Sequence, residues 1–201
     1  MIAIVDYGAG NLFSVRNALA YLGIAHGITR EPREIAEADG VILPGVGAFP
    51  EAMAKLRAAN LVDTLRQAAE EKPFLGVCLG MQMLFDAGLE FGRTAGLGLI
   101  PGEVRLLDAG GLKIPHMGWN SVHIHRDCPL LSGVREEDYV YYVHSYAAVT
   151  EERYVVLSSD YGQQVTGLVH DRRYLYGAQF HPEKSGSVGL TILKNFGGLV
   201  K

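Results

Sequence analysis

The first half of the chain alternates short apolar runs with stretches whose apolar residues recur at helical spacing. The run over 2–7 predicts a buried strand, and the pattern over 11–23 predicts a helix with Asn11 at its N-cap and Gly23 as its stop signal. Strands that alternate with helices indicate βαβ units and a parallel sheet covered on both faces. The further predicted elements are a strand over 26–30, a helix over 31–38, a strand over 40–45, one or two helices over 50–71 and a strand over 73–80.

The pattern changes between about residues 96 and 180, where short β-rich runs are separated by turns. These runs predict hairpins added to the parallel core, and 185–200 predicts a helix that packs back on the sheet. We therefore predict a single domain, 1–201, of the α/β class: a mainly parallel sheet flanked by helices in three layers, with an antiparallel β extension. The β-rich runs are 103–107, 120–124, 139–149, 154–160, 165–170 and 174–180.

Composition and charge exclude several classes of protein. The chain has 201 residues, 48% of them hydrophobic, which is enough for one compact domain with a sizeable core. A net charge of -4 argues against a nucleic-acid partner. No apolar run approaches the roughly 20 residues of a membrane-spanning helix, so no membrane partner is expected. The N-terminus lacks the features of a signal peptide, which makes a cytoplasmic location the expectation.

Metal and cofactor sites have little support in the sequence. The two cysteines, Cys78 and Cys128, are too few for a disulfide framework and lack zinc-ligand spacing. His123 and His125 can share one face of a strand, but two histidines without a third ligand are a weak metal signal. GAGNLF at 8–13 lacks the third glycine of a dinucleotide-binding motif. We expect no metal and no cofactor.

The stretch GVCLGMQ, at 76–82, places Cys78 between two glycines where a strand gives way to a helix. This G-x-C-x-G spacing is the thiol counterpart of the G-x-S-x-G nucleophile elbow, in which glycines allow a strained turn. A helix N-terminus next to the sulfur would also favour the thiolate. A buried core cysteine explains the stretch about equally well.

A nucleophilic Cys78 requires a base, and QFHPEKS at 179–185 contains the best candidate. Residues two apart on a strand point to the same side, so Glu183 would orient His181 towards the sulfur. A lone histidine is more commonly a surface residue. The glycine-rich turn at 43–49 would bring backbone N–H groups close to an oxyanion, with the N–H of Leu79 as the second donor. Taken alone, that turn is better explained as a flexible connection.

These motifs together resemble the triad-type (class I) glutamine amidotransferases. The similar blocks are IVDYGAGN, PGVGAF, GVCLGMQMLF, PHMGWN, YYVHSY and QFHPEKSG, which lie between residues 4 and 186. The resemblance implies a flavodoxin-like fold and glutamine as substrate. It assigns the nucleophile to Cys78, the general base and acid to His181 and the orienting carboxylate to Glu183. It also implies an oxyanion hole (Leu79, Val46, Gly47) and substrate contacts (Gly45, Gln82, His144, Ser145, Tyr146).

The resemblance further implies a protein partner, because the predicted domain releases ammonia and contains no second domain to consume it. Within the family, the blocks are most similar to glutaminase subunits that form a heterodimer with a cyclase subunit, a (β/α)8 barrel. Trp119 would otherwise be interpreted as a core aromatic residue, but MGWN at 117–120 suggests a turn, which favours an interface. The implied interface residues are Asn11, Trp119, Asn120, Tyr141 and Lys184.

Three alternatives stay open at this point. A free-standing cysteine hydrolase or peptidase would share the elbow but act without a partner. A catalytically inert interaction module would keep the fold, although the complete set of Cys78, His181 and Glu183 argues against it. Within the same family, the glutaminase of pyridoxal phosphate synthase is the member most easily confused with this chain. The residues of PGVGAF and HPEKS favour the cyclase-coupled glutaminase.

Overall fold

The computed structural model describes residues 1–171 and 173–200. Within these ranges no helix is both long enough and apolar enough to cross a membrane. The first elements are β1 (Ile2–Val5), α1 (Leu12–Tyr21), β2 (His26–Thr29), α2 (Pro32–Glu37), β3 (Gly40–Gly45), α3 (Phe49–Ala58), α4 (Val62–Glu71), β4 (Phe74–Cys78) and α5 (Leu79–Gln82). They are followed by β5 (Phe85–Gly88), β6 (Thr94–Ala95), β7 (Ile100–Leu106), β8 (His116–Ser121), β9 (His123–Ile124), β10 (Tyr139–His144), β11 (Tyr146–Val149), β12 (Val155–Tyr161), β13 (Gln163–His170), β14 (Leu175–Ala178) and α6 (Gly186–Leu199).

The largest sheet has eight strands in the order β2-β1-β3-β4-β14-β13-β12-β9. The five strands from β2 to β14 pair in parallel, and the three that follow pair antiparallel. Since β4 and β14 are neighbours in parallel, the segments that follow them leave the same edge of the sheet. Cys78 is the last residue of β4 and His181 lies in the segment after β14, so both are at this edge.

Alternate side chains of the central strands enter opposite hydrophobic layers. On β1, Ile2 and Ile4 pack in the layer that includes α1 and α6, whereas Ala3 and Val5 pack in the layer that includes α2, α3 and α4. A strand buried on both faces must be apolar at every position, which explains the continuous apolar run at the start of the chain. The predicted three-layer α/β fold with an antiparallel extension is confirmed.

The antiparallel part differs from the prediction in detail. It forms a four-stranded sheet, β11-β7-β5-β6, and a two-stranded ribbon of β8 and β10, besides the extension of the main sheet. The run predicted over 139–149 is two strands that belong to different sheets, with Ser145 between them. The run over 120–124 is likewise divided between β8 and β9. The expected turn at 117–120 is wrong because these residues lie in β8, and β5 and β6 were not predicted.

Two glycines allow the α5 segment to pack closely against β3 and against β4. A Cβ atom on Gly80 would lie 1.8 Å from the carbonyl oxygen of Leu43, and one on Gly76 would lie 2.7 Å from the carbonyl oxygen of Gly80. Both distances are shorter than any van der Waals contact, and the opposing atoms are backbone atoms that cannot rotate away. The absence of a side chain at these positions is therefore a packing requirement.

We expect Gly80→Ala to lower the free energy of unfolding by at least about 2 kcal/mol, because the methyl group would displace β3. Gly198→Ala is the matched control, since a Cβ there meets nothing within 4 Å and the position lies in α6. That change should leave stability unchanged or raise it by about 0.5 kcal/mol. Denaturant unfolding of both variants measures the difference. Equal stability of the two variants would contradict the packing requirement.

Candidate active site

Cys78 lies where β4 ends and α5 begins. Its backbone has φ 54° and ψ -111°, outside the regions that residues with side chains normally occupy. Such a conformation costs on the order of 1–3 kcal/mol and persists only where the surrounding structure imposes it. We expected the flanking glycines to allow a strained turn at the cysteine. The strained residue is Cys78 itself, and the absence of side chains at Gly76 and Gly80 provides the space for the turn.

Cys78 borders a pocket of about 400 Å³, within the range of sites for small molecules. Four residues that the resemblance assigns to substrate binding border the same pocket, and His181 does so too. Residues far apart in the sequence therefore meet at one place. The pocket is lined by Val46, Gly47, Cys78, Leu79, Gln82, Glu90, Pro115, Val143, His144, Ser145, Tyr146 and His181.

His181 and Glu183 meet through a 3-10 turn over Pro182–Lys184. The prediction that they lie along a strand is wrong, because β14 ends at Ala178. Nδ1 of His181 lies 2.8 Å from Oε1 of Glu183, and the two side chains are 2% and 1% exposed. A carboxylate only accepts, so Nδ1 donates the hydrogen. Nε2 makes no hydrogen bond to a described residue and is the nitrogen free to exchange a proton.

The surroundings of His181 favour its charged form. Burial by itself lowers the pKa of an imidazole, but Cys78 and the Glu183 carboxylate outweigh it and raise the pKa of His181 to about 9. At neutral pH these surroundings favour the imidazolium form of His181.

His144 borders the pocket, and its imidazole is hydrogen-bonded to that of a second histidine, His116. Nδ1 of His144 donates to the carbonyl oxygen of Tyr146 at 2.9 Å, so its Nε2 accepts from Nδ1 of His116 at 3.0 Å. Nε2 of His116 then accepts from the Asn120 amide at 3.2 Å. Burial lowers the pKa of both rings to about 4, which keeps them neutral at neutral pH. The pocket is thus bordered by one charged imidazole, His181, and one neutral imidazole, His144.

Both amide hydrogens of Gln82 are used inside the protein. Its Nε2 donates to the carbonyl oxygen of Tyr146 at 2.8 Å and to Oε1 of Gln179 at 3.0 Å. The side chain is buried, and it borders the pocket. What Gln82 offers to a ligand is therefore its oxygen, which is an acceptor.

The three residues expected to direct backbone N–H groups at an oxyanion border the pocket with Cys78; they are Val46, Gly47 and Leu79. Gly47 has φ 97°, a conformation that favours glycine. Gly45 was expected to contact the substrate, but it does not border the pocket. It packs against the α5 backbone, where a Cβ atom would lie 2.7 Å from the nitrogen of Gly80.

The sequence analysis missed Glu90. Its carboxylate borders the pocket and accepts a hydrogen bond of 2.7 Å from the backbone N–H of Phe49. Glu90 lies in a segment with no recognisable motif, twelve residues after Cys78, so nothing in its neighbourhood marked it. The pocket consequently contains a carboxylate that can receive a cationic group.

Ser185 was also missed, although it fixes the turn that holds the histidine. Its hydroxyl donates to the carbonyl oxygen of His181 at 2.7 Å and accepts from the backbone N–H of Tyr141 at 2.9 Å. The backbone N–H of His181 donates to the carbonyl oxygen of Tyr141 at 2.9 Å. Two hydrogen bonds thereby join Tyr141 on β10 to the turn, and the third closes the turn between His181 and Ser185.

The predicted interface residues lie in or near elements grouped around the 3-10 turn over Pro182–Lys184. Trp119 on β8 and Tyr141 on β10 are opposite each other, with ring centroids 6.0 Å apart, and Trp119 is 55% exposed. Lys184 is exposed in the 3-10 turn, and Asn11 is half-buried just before α1, which contacts that turn. Asn120 differs from these, because its amide donates inwards, to His116 and to the carbonyl oxygen of Asp160. Asn11 occupies the N-cap position of α1, but its side chain forms no capping hydrogen bond.

The two histidines weighed as metal ligands have other partners. His123 contacts the Glu136 carboxylate at 2.9 Å, and His125 contacts the Ser158 hydroxyl at 2.7 Å. Over 1–171 and 173–200, no group of three histidine, cysteine, aspartate or glutamate side chains is placed to share a metal ion.

We expect iodoacetamide at pH 7 to modify Cys78 at least about tenfold faster than Cys128. The two cysteines are equally buried, at 7% and 8% exposure, so burial alone would give equal rates. Burial raises the pKa of the Cys128 thiol, whereas Cys78 borders a pocket beside the imidazole of His181. Peptide mapping by mass spectrometry measures both rates, and unfolded protein, in which both sites react, is the control. Equal rates in the folded protein would contradict the elbow interpretation.

Comparison with known proteins agrees with this geometry. Residues 3–198 match the protein family described as "Glutamine amidotransferase class-I". The chain is 52% identical over 202 residues to "Imidazole glycerol phosphate synthase subunit HisH" of Bacillus cereus (strain G9842), covering 100% of this chain and 96% of the relative. It is 49% identical over 203 residues to the protein of the same description from Listeria monocytogenes serotype 4b (strain CLIP80459), covering 100% and 97%.

Among solved structures, a chain in the "Structure of PurLQS from Thermotoga maritima" superposes with a TM-score of 0.77 and 20% identity, covering 100% of this chain and 98% of that one. This similarity concerns the fold alone. The family match extends over nearly the whole chain and includes Cys78, His181 and Glu183. On these grounds the chain belongs to the class I glutamine amidotransferases.

Proposed function

We propose that this chain is the glutaminase subunit of an imidazole glycerol phosphate synthase, and that its 201 residues form one amidotransferase domain. It hydrolyses glutamine to glutamate and ammonia, and a cyclase subunit uses the ammonia to convert PRFAR to imidazole glycerol phosphate and AICAR. The observation that carries the proposal is the buried His181–Glu183 pair beside the strained Cys78, at a pocket of suitable size. The full-length relatives named as subunits of that synthase support the reaction and the pathway, histidine biosynthesis.

The chemistry begins with attack of the Cys78 sulfur on the side-chain carboxamide of glutamine. The C–S bond forms, the carbonyl oxygen becomes an oxyanion, and the backbone N–H groups of Val46, Gly47 and Leu79 are its proposed hydrogen-bond donors. His181 then donates the proton on Nε2 to the nitrogen of the amide as the C–N bond breaks and ammonia leaves. Neutral His181 next takes a proton from water, whose oxygen attacks the glutamyl thioester and releases glutamate.

Glu183 has an orienting role in this sequence. Its carboxylate fixes the Nδ1–H tautomer of His181, which keeps Nε2 towards the pocket, and it stabilises the imidazolium. Its own second oxygen makes no hydrogen bond to a described residue, so the full charge remains available to the ring.

Two acceptors in the pocket fit the α-ammonium group of glutamine. One is the side-chain oxygen of Gln82, whose amide hydrogens are both used inside the protein. The other is the carboxylate of Glu90. A substrate without the α-ammonium group forms neither of these contacts. The site therefore selects an amino acid over a simple amide.

The exposed face of the β8–β10 ribbon is the proposed contact with the cyclase barrel, in a heterodimer. Trp119 and Tyr141 supply aromatic surface there, and exposed Lys184 adds charge next to it.

Delivery of ammonia to a partner separates this proposal from a free-standing cysteine hydrolase. The pathway also implies the cytoplasm as the place of the reaction.

Replacing Cys78 by Ala should abolish glutamine-dependent product formation, by at least about ten-thousandfold, because the nucleophile is lost. The complex with the cyclase should still form product from ammonium chloride, and more so as pH rises, since free NH3 is the reacting species. Product formation by the purified complex with each nitrogen source measures both effects. Glu183→Gln, which keeps the side-chain volume, should reduce the glutamine reaction less severely than Cys78→Ala.

Loss of both reactions in Cys78→Ala, with the complex still assembled, would overturn the proposed division of labour. Turnover of peptides or esters by the isolated chain, at rates above its glutaminase rate, would support the free-standing hydrolase.

We expect the isolated chain to bind glutamine but hydrolyse it slowly. The Val46–Gly47 turn must rearrange before it can direct a backbone N–H at the oxyanion, and Val46 is 44% exposed in this turn. Addition of the cyclase and its nucleotide ligand should raise kcat more than it lowers KM. Steady-state glutaminase assays with and without the partner and its ligand measure the two constants. Full activity of the isolated chain would remove the case for gating at this turn.

A further inference from the structure

Gln179 is a fully buried polar side chain to which neither the sequence analysis nor the proposed reaction assigns a role. It follows the last residue of β14 and precedes His181 by two positions, and its exposure is 0%. A buried amide requires hydrogen-bond partners. The partners of Gln179 are the side chains of Gln82 and Cys78, both of which border the pocket.

The orientation of this amide follows from its neighbours. The carbonyl oxygen of Tyr146 can only accept, so the Gln82 amide must direct its nitrogen to that side. The same nitrogen faces the side-chain amide of Gln179. Gln179 must therefore present its oxygen to Gln82. Its nitrogen is left facing the sulfur, and Nε2 of Gln179 lies 3.8 Å from Sγ of Cys78.

The sulfur lies between an acceptor and a donor. As a thiol it donates to the carbonyl oxygen of Val143 at 3.9 Å and accepts from Nε2 of Gln179. Loss of the proton removes the first interaction. It strengthens the second, because a hydrogen bond to a charged acceptor is stronger than one to a neutral acceptor.

We propose that Gln179 is a further catalytic residue, which stabilises the Cys78 thiolate through an N–H···S hydrogen bond and keeps Gln82 in place through its oxygen. The inference rests on the proposed function in taking Cys78 as the nucleophile. Its test measures ionisation of the thiol and requires no turnover, so the two proposals can fail separately.

Four other titratable groups act near the sulfur and must be kept constant in that test. The His181 ring and the Tyr7 hydroxyl interact with Cys78 directly. Glu183 acts through His181, and neutral His144 interacts electrostatically with the same ring. The variants below leave all four unchanged.

The experiment measures the rate of Cys78 alkylation by iodoacetamide as a function of pH, with the site identified by mass spectrometry. The midpoint of this profile reports ionisation of the thiol, whereas access of the reagent changes only the plateau. In Gln179→Met the donor is lost, so the midpoint should move upwards and the rate below the midpoint should fall about three- to tenfold. Gln164→Met, at an exposed position on β13, is the matched control and should leave the profile unchanged.

Two further variants separate thiolate stabilisation from packing. Gln82→Met removes the partner of Gln179 that does not touch the sulfur, so it should leave the midpoint in place. The double variant Gln82→Met/Gln179→Met removes both members of the buried pair, which avoids an unpaired amide if Gln179→Met alone does not fold. Its midpoint should move as in Gln179→Met. An unchanged midpoint in the folded Gln179 variants, or an equal movement in Gln82→Met, would overturn the proposal.

Discussion

The backbone conformation of Cys78 is the constraint on which the rest of the site depends. Cys78 adopts this positive φ where β3 closely approaches the start of α5, an approach that Gly45 and Gly80 permit. This approach brings the Val46–Gly47 turn to the same pocket as the sulfur. Relaxing the backbone of Cys78 would therefore separate the proposed nucleophile from the proposed oxyanion donors at the same time.

The parallel core could be predicted from the sequence because its physical causes are local. Strands buried on both faces are apolar at every position, and the helices between them repeat with the helical period. The antiparallel part could not be divided correctly, because 139–149 is continuously β-rich. The break at Ser145 is decided by which sheet each half joins, and that depends on residues distant in the sequence.

The site shows the same division between local and distant causes. Cys78, His181 and Glu183 stand in short motifs, so they could be identified from spacing, although the reason given for the last two was wrong. They meet through a 3-10 turn and not along a strand. Glu90 and Gln179 could not be found in this way, because their importance lies in what they contact: the pocket in one case, and the sulfur and Gln82 in the other.

The β8–β10 ribbon has two faces that alternate residue by residue. His116, Asn120 and His144 lie on the face towards the protein, and Trp119 and Tyr141 lie on the outer face. Insertion or deletion of one residue within either strand would exchange the faces, placing imidazole in solvent and indole in the pocket wall. The ribbon can therefore change during evolution by substitution but not by length, and any surface that docks on its outer face would have to be matched by side-chain replacement at fixed positions.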